Sequence, residues 1–349
     1  MTAIIDTRNL TRTFTIRGAG LRRARRTVEA VVDLSVTVTA GSAVGYIGAN
    51  VAGKSTTIKM LCGILSPTSG SVRTCGLEPH RRRRDLARRI GVVFGQRSQL
   101  WWDLPLIESF EALAAIHRLA PAAADRRRTE LIDRLDLGDF LDTPVRQLSL
   151  GQRMRGEVAA ALLHRPELVI LDEPTIGLDV LSKEHLRRFL IEQRREHGTT
   201  LLLTTHDMDD VDRLTDRVLV VDHGRLIFDG TLPGLVAEVG AQRTLVVDLS
   251  GPTPPLRDVP RTTFLGSEFD GARQSLGFSP ERVSAAEVIG AVERRAPIRD
   301  LSIVEPDIED VVRRIYRSGG VPTVHSGPVE PEAGGDPGTG ADRGTTGSG

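Results

Sequence analysis

Residues 43–56, Ala-Val-Gly-Tyr-Ile-Gly-Ala-Asn-Val-Ala-Gly-Lys-Ser-Thr, limit what this chain can fold into more than any other stretch. The apolar run Ala43 to Ile47 reads as a buried strand. A loop with Gly48 and Gly53 follows, and Lys54 then opens a helical segment, Ser55 to Leu65. Gly48 and Gly53 with Lys54-Ser55 satisfy the spacing G-x-x-x-x-G-K-[ST] in the strand–loop–helix context that this motif requires. The chemistry follows from that geometry. Successive backbone N–H groups curl around a β-phosphate, and the helix N-terminus adds its partial positive charge. In such a loop Lys54 bridges the β- and γ-phosphates, and the Ser55 hydroxyl ligates Mg²⁺.

One position departs from the usual pattern. Loops of this kind usually carry Gly at the fourth position, counted from Gly48, where this chain has Val51. If the backbone there requires φ > 0, a β-branched side chain costs about 1–2 kcal/mol. Strain of that size weakens nucleotide binding several-fold to about thirtyfold without abolishing it.

At 349 residues the chain accommodates one large domain and a smaller one. Its formal net charge of zero gives no global field that favours nucleic acid. All but three of its 46 basic residues are arginines scattered over every segment, the lysines being Lys54, Lys59 and Lys183. Two cysteines, Cys62 and Cys75, make neither a disulfide framework nor a zinc site. The N-terminus lacks a signal-peptide apolar region, and no stretch approaches 18 uninterrupted apolar residues. A membrane role is therefore expected to come through a partner.

In chain order, Ala3 to Thr7, Thr13 to Ile16 and Val28 to Val38 are expected as antiparallel strands, with a basic loop between the last two. A second basic cluster, His80 to Arg84 with Arg88 and Arg89, is expected on a solvated helix. Ile90 to Gln96 reads as a strand ending in a polar residue. Phe110, Leu113, Ile116 and Leu119 describe an amphipathic helix within a helical stretch, Ile107 to Leu141. Ser149 is a candidate N-cap for the helix opened by Leu148 to Gln152. The strand Leu168 to Asp172 ends in an acid and is followed at once by Glu173. Such an Asp is the expected Mg²⁺-site residue of a phosphate-loop protein, and Glu173 is placed to polarise an attacking water. Thr199 to Thr205 is another buried strand, ending at His206. Val218 to Gly230 reads as a hairpin turning at His223-Gly224.

Taken together these residues resemble the ATP-binding subunit of an ATP-binding-cassette (ABC) transporter. The Walker A loop matches Gly48 to Thr56, the Q-loop matches Gln96, and the LSGGQ signature matches Leu148 to Gln152 with Leu150 in place of its first Gly. Walker B matches Leu168 to Glu173, the D-loop matches Gly177 to Asp179, and the switch histidine matches His206. The resemblance implies an α/β P-loop NTPase cassette with a mixed-sheet core, an antiparallel β subdomain and a helical subdomain. It also implies a head-to-tail dimer, a homodimer or a heterodimer of cassettes, with ATP and Mg²⁺ sandwiched between subunits. Within it, Phe14 stacks on the adenine, and Gly48, Asn50, Ala52, Gly53, Lys54, Ser55 and Thr56 hold the nucleotide. Ser149 and Gly151 close on the partner's γ-phosphate, and Gln152 and Asp179 belong to the same nucleotide-binding set. Ser55, Gln96 and Asp172 serve the metal, while Glu173, His206 and Gln96 carry hydrolysis.

The unfused cassette and the run Phe94 to Leu104 resemble the export type with separate ABC-2-type membrane permeases, such as drug-resistance, polysaccharide and lipid exporters. That implies a site on the cytoplasmic face of the membrane, held through the permease, with Trp101 and Trp102 flanking its docking surface. The cassette is expected over 1–235, its helical subdomain over about 100–165, an accessory α+β domain over 236–320 and a disordered tail over 321–349. The accessory domain is expected to hold a helix from Ile308 to Tyr316 and strands at 243–249, 262–265, 276–278 and 298–304. Two alternatives stay open on sequence: a regulatory cassette weakened by Val51, and a soluble ABC ATPase acting on ribosome or DNA. Only 94 positions separate Ser55 from Ser149, too few for the long coiled coil of repair-type members.

Overall fold

The computed structural model describes residues 2–17, 25–48, 52–95, 98–205, 207–239 and 242–304. Strand β1 (Ala3–Arg17) lies between β2 (Arg25–Thr39) and, in order of the chain, β4 (Ser69–Thr74), all antiparallel. The sequence suggests two short strands where β1 is one. Its pairing with β2 continues through register shifts between Thr7 and Leu10 and between Leu10 and Arg12, with Asn9 at φ 49°. Asn tolerates that conformation, and the resulting bulges bend the strand instead of ending it. Along β2 the buried Leu34, Val36 and Val38 alternate with exposed Ser35 and Thr37, so one face packs inward.

The central sheet has six strands in the order β5-β6-β7-β3-β8-β9. They are β3 (Ala43–Ile47), β5 (Ile90–Val93), β6 (Leu168–Asp172), β7 (Thr200–Thr204), β8 (Arg217–Asp222) and β9 (Arg225–Gly230). All pairings are parallel except β8 with β9, the expected hairpin. Both faces are covered, which is why β3, β6 and β7 are nearly continuous apolar runs. Val169 and Leu171 face one core with Val93, Leu201 and Leu203. Leu168 and Ile170 face the other with Val44, Tyr46 and Leu202.

Helix α1 (Lys54–Leu61) follows β3 and stops four residues short of the expected end. Gly63 stops it at φ 72°, where a Cβ would stand 2.4 Å from the Pro79 carbonyl oxygen. The basic cluster forms only a four-residue helix, α2 (Arg83–Leu86), with His80 to Arg84 and Arg88 exposed as expected. Arg89 instead pairs with Glu167 through two hydrogen bonds of 2.6 and 2.8 Å.

The helical layer consists of α3 (Leu106–Ile116), α4 (Pro121–Arg134) and α5 (Leu150–Leu162). Phe110 and Leu113 of α3 are buried, but Ile116 is 61% exposed, so the apolar stripe ends one turn earlier than its spacing suggests. α6 (Val180–His197) and α7 (Met208–Leu214) complete the crossovers, and α8 (Leu232–Val239) leads out of the sheet. Beyond it lies a separate antiparallel sheet, order β11-β12-β10-β13, built from β10 (Arg243–Leu249), β11 (Thr262–Glu268), β12 (Arg273–Phe278) and β13 (Ile298–Val304). α9 (Ala285–Glu293) packs on it around Leu245, Val247, Leu276 and Phe278. The helix expected at Ile308 to Tyr316 and the tail lie outside the described residues.

The ends of α3 and α5 meet through stacked imidazoles: His117 and His164 have centroids 3.9 Å apart and planes within 8°. His164 Nε2 donates to the Ile90 carbonyl at 3.0 Å. Burial, and then the neighbouring His117, push its pKa down to about 4 from the ordinary 6.5. The folded chain therefore binds fewer protons than the unfolded one between these values. The associated stability is present in full above 6.5 and is lost as pH falls toward 4. We expect the melting temperature to fall between pH 7 and about pH 5, and to fall less for His164→Gln. Identical pH slopes for the two proteins in scanning calorimetry would refute this source of acid lability.

Candidate functional site

The phosphate loop sits at the carboxyl end of β3, where backbone walls leave room for glycine alone. A Cβ at Gly48 would stand 2.2 Å from the Val221 carbonyl oxygen on β8. Gly53 has φ 89°, and a Cβ there would stand 2.1 Å from the Ala30 carbonyl oxygen on β2. Gly53 also caps α1, its carbonyl accepting from the Thr56 and Thr57 N–H groups at 3.0 Å each. The His223-Gly224 turn closes the third side, with the Gly224 N–H donating to the Ala52 carbonyl at 3.2 Å. No side chain caps α1, so its first N–H groups point at the loop, the arrangement that favours a bound anion. The Lys54 ammonium donates to the Gly48 carbonyl across the loop, and Lys54 is only 8% exposed. Ser55 is exposed and Thr56 half-buried at the same helix start. Behind them Tyr46 donates to Thr57 Oγ1 at 3.1 Å, and burial pushes its phenol well above the ordinary range.

Phe14 pairs with Val28, two residues along β2 from the Ala30 that walls the loop. It is half-buried, with the Arg12 guanidinium 4.7 Å from its ring centroid.

The acidic pair arises at the end of β6. Asp172 is half-buried, and its Oδ1 accepts from Thr204 Oγ1 at 2.5 Å on the neighbouring β7. That bond orients one carboxylate oxygen and leaves the second as an acceptor. Glu173 stands at φ 55°, a conformation uncommon outside glycine, and its N–H donates to the Thr204 carbonyl at 3.0 Å. Thus β7 holds both acids through one residue, a partner that the sequence reading did not single out. Ser55 and Asp172 are hard oxygen donors, the set that suits Mg²⁺.

At the start of α5, Ser149 and Gln152 form a reciprocal capping box. The Gln152 N–H donates to Ser149 Oγ at 3.2 Å, and the Ser149 N–H donates to Gln152 Oε1 at 2.9 Å. Gln152 is thereby engaged in holding the helix start, while Ser149 is exposed. Leu150 packs against the turn before α6: a Cβ on Gly177 would meet Leu150 Cδ2 at 2.2 Å. Gly151 lies beside Leu178 in the same contact. Asp179 caps α6, accepting from the Ser182 N–H at 2.9 Å and the Ser182 hydroxyl at 2.7 Å, bonds that hold its pKa below the usual carboxylate value.

The expected Asn50, Val51, Gln96 and His206 lie outside the described residues. Their neighbours are placed: Ala52 is buried in the loop, and Thr205 and Asp207 flank position 206. Asp207 accepts from Lys183 Nζ at 2.7 Å. Burial raises its pKa, but the Lys183 hydrogen bond and nearby cations bring it below the usual value. The residues missed from sequence are Ala30, Val221 and Gly224, which wall the loop, and Thr204, which holds both acids. Only a contact across strands could have revealed them.

Known proteins share this fold and much of this sequence. The ABC transporter family profile matches residues 31–176. The chain is 37% identical over 226 residues to the daunorubicin/doxorubicin resistance ATP-binding protein DrrA of Streptomyces peucetius, covering 65% of this chain and 68% of that protein. It is 37% identical over 261 residues to Nod factor export ATP-binding protein I of Cupriavidus metallidurans, covering 74% of this chain and 80% of that one. It is 32% identical over 211 residues to the ABC transporter ATP-binding protein NatA of Bacillus subtilis, covering 60% and 85%. Among solved structures, the ATP-binding cassette MJ0796, dimeric and bound to ADP and Pi, superposes with TM-score 0.57 at 25% identity, covering 65% of this chain and 98% of that one.

Gly53→Ala introduces a side chain where both φ and the Ala30 carbonyl forbid one. We expect nucleotide affinity to fall at least about tenfold, the equivalent of ~1.4 kcal/mol. Titration calorimetry with ATP checks this, and an unchanged affinity would mean that the loop is not built as described.

Proposed function

We propose that this chain, which belongs to the ABC transporter ATP-binding family, powers an exporter by hydrolysing ATP beside a separate ABC-2-type permease. The family and the ATPase activity rest on the matches above; direction, permease class and residue roles are our reading. The observation that carries it is the pairing of a phosphate loop passable only to glycine with two acids held side by side at the next strand but one.

Phosphoryl transfer needs positioning and charge neutralisation more than covalent chemistry. In this reading the α1 N-terminus and Lys54 hold the β- and γ-phosphates. Ser55, Asp172 and Gln96 hold Mg²⁺, which neutralises phosphate charge when bound. Glu173 accepts a proton from, or orients, the attacking water, and His206 steadies the γ-phosphate. Phe14 stacks on the adenine. Ser149 and Gly151 of a second copy close on the same nucleotide, and Asp179 and Gln152 shape that junction through the caps they form. Leu150, Ile176, Val180 and Leu181 are 38%, 56%, 81% and 82% exposed around it. An apolar group of that kind fits contact with another subunit.

For the permease, we assign the surface around Trp101 and Trp102, which are 38% and 51% exposed. The Trp101 N–H donates to Ser109 Oγ at 3.1 Å, and the Trp102 carbonyl accepts from the Arg146 N–H at 3.0 Å. The backbone is pinned while the rings face out, which makes a rigid aromatic anchor. No helix among the described residues is long and apolar enough to cross a membrane, so attachment at its cytoplasmic face runs through that permease. Residues 1–235 form the cassette in this reading and 236–320 an accessory domain that regulates or stabilises the dimer.

The purified chain is expected to hydrolyse Mg²⁺-ATP and Glu173→Gln to trap an ATP-bound dimer. An inert chain that regains turnover with Val51→Gly would instead support the regulatory reading. Alanine at both Trp101 and Trp102 is expected to lower permease co-purification and transport while leaving ATP binding intact. Unchanged co-purification would remove these residues from the docking surface.

A further inference from the structure

Two residues beyond Glu173, the chain enters a buried polar cluster. Asp210, on α7, is fully buried. Its Oδ1 accepts from Arg187 Nε at 2.6 Å, and Arg187 is 6% exposed. Its Oδ2 accepts from two hydroxyls, those of Thr175 and Thr205, the latter at 3.2 Å. Thr175 and Thr205 are themselves buried, at 2% and 1% exposure. Thr205 Oγ1 in turn accepts from the Asp207 N–H at 3.0 Å. Thus one carboxylate oxygen joins the segment leaving β6, which carries Glu173, to the segment leaving β7.

We propose that Asp210 is a positioning residue for ATP hydrolysis, fixing through Thr175 the direction in which Glu173 is presented. The inference rests on the reading of Glu173 as the group that handles the attacking water. Glu173 occupies a backbone conformation that a non-glycine residue keeps only when its surroundings impose it. Upstream, the Thr204 carbonyl holds its N–H. Downstream, the Thr175 side chain is tied to Asp210. Cutting the downstream tie lets the turn relax and swings the carboxylate without touching the phosphate loop.

A purely structural role is the plain alternative. Buried ion pairs are often replaceable by apolar side chains at no loss of stability, so stability alone does not account for this convergence. Arg187 adds a reason to expect more. It belongs to α6, whose first turn carries the exposed Val180 and Leu181, and its Nη2 also lies 3.5 Å from Asp207. Asp210 therefore links Glu173 to the helix that begins at the proposed subunit contact.

The test uses the full chain and steady-state ATP hydrolysis, with melting temperature measured alongside. Thr175→Val removes one hydrogen bond and keeps the Arg187–Asp210 pair. We expect kcat to fall about tenfold with KM for Mg²⁺-ATP within about twofold, the pattern of an interaction that acts in the transition state. Thr175→Ser, which keeps the hydroxyl, restores kcat. Thr205→Val lowers kcat similarly, and the double variant is no slower than the slower single one, because both bonds end on one oxygen. An unchanged kcat in Thr175→Val, or a loss that follows the melting temperature and is not restored by serine, overturns the proposal. Glu173→Gln separates the two readings. If that variant keeps full turnover, the assignment of Glu173 falls and the role of Asp210 falls with it. If Glu173→Gln is dead and Thr175→Val keeps the native kcat, only the role of Asp210 falls.

Discussion

The site depends on one constraint: the phosphate loop is pressed against backbone on two sides. Gly48 meets the Val221 carbonyl of β8, and Gly53 meets the Ala30 carbonyl of β2. A Cβ at either position would overlap an oxygen, so these contacts admit no other residue. The consequence reaches beyond the loop. β2 belongs to the antiparallel sheet and β8 to the central one, so both sheets supply walls to the loop. Gly224, at the β8–β9 turn, completes the seat by bonding Ala52 on one side and accepting from Val32 on the other.

The acids obey a different logic. Burying carboxylates is costly unless they are hydrogen-bonded or paired, and each here has its partner on a neighbouring element. Asp172 is held by Thr204, and Asp210 by Arg187, Thr175 and Thr205. Thr204 lies on β7, Thr205 just beyond it, Thr175 just beyond β6 and Arg187 on α6, so neighbouring elements hold these carboxylates. The same reasoning explains the α5 and α6 starts. Gln152 and Asp179, singled out as nucleotide residues, are engaged in capping, and each cap fixes a turn that faces outward. Leu150 gains a meaning too: its side chain fills the space beside Gly177, coupling those two turns within one subunit.

The sequence by itself determined the strand at 43–47 and the helix start that follows Gly53, the acid-terminated β6, the Ser149 cap, the β8–β9 turn and β13 to the residue. In each, a local rule acts within a few positions: a glycine spacing, an apolar run bounded by a charge, or a hydroxyl before a helix. Residues with special backbone or capping demands carry that information in their own identity. Where local pattern competed with context it misled. β1 continued through Asn9 because a bulge preserved its pairing, α1 ended at Leu61 because Gly63 turned under Pro79, and Ile116 stayed exposed on an apolar stripe.

Only the tertiary structure decided which groups hold the site. Ala30 and Val221 lie 23 and 173 positions from Gly53 and Gly48, Thr204 lies 32 and 31 from Asp172 and Glu173, and Arg187 lies 23 from Asp210. No periodicity connects them, since a contact between strands depends on sheet order and register. The order β6-β7-β3-β8 puts β7 between the phosphate-loop strand and the acid-bearing strand. That placement gives Thr204 its reach to Asp172 and Glu173, and a parallel sheet sets it through long crossovers that local sequence does not specify.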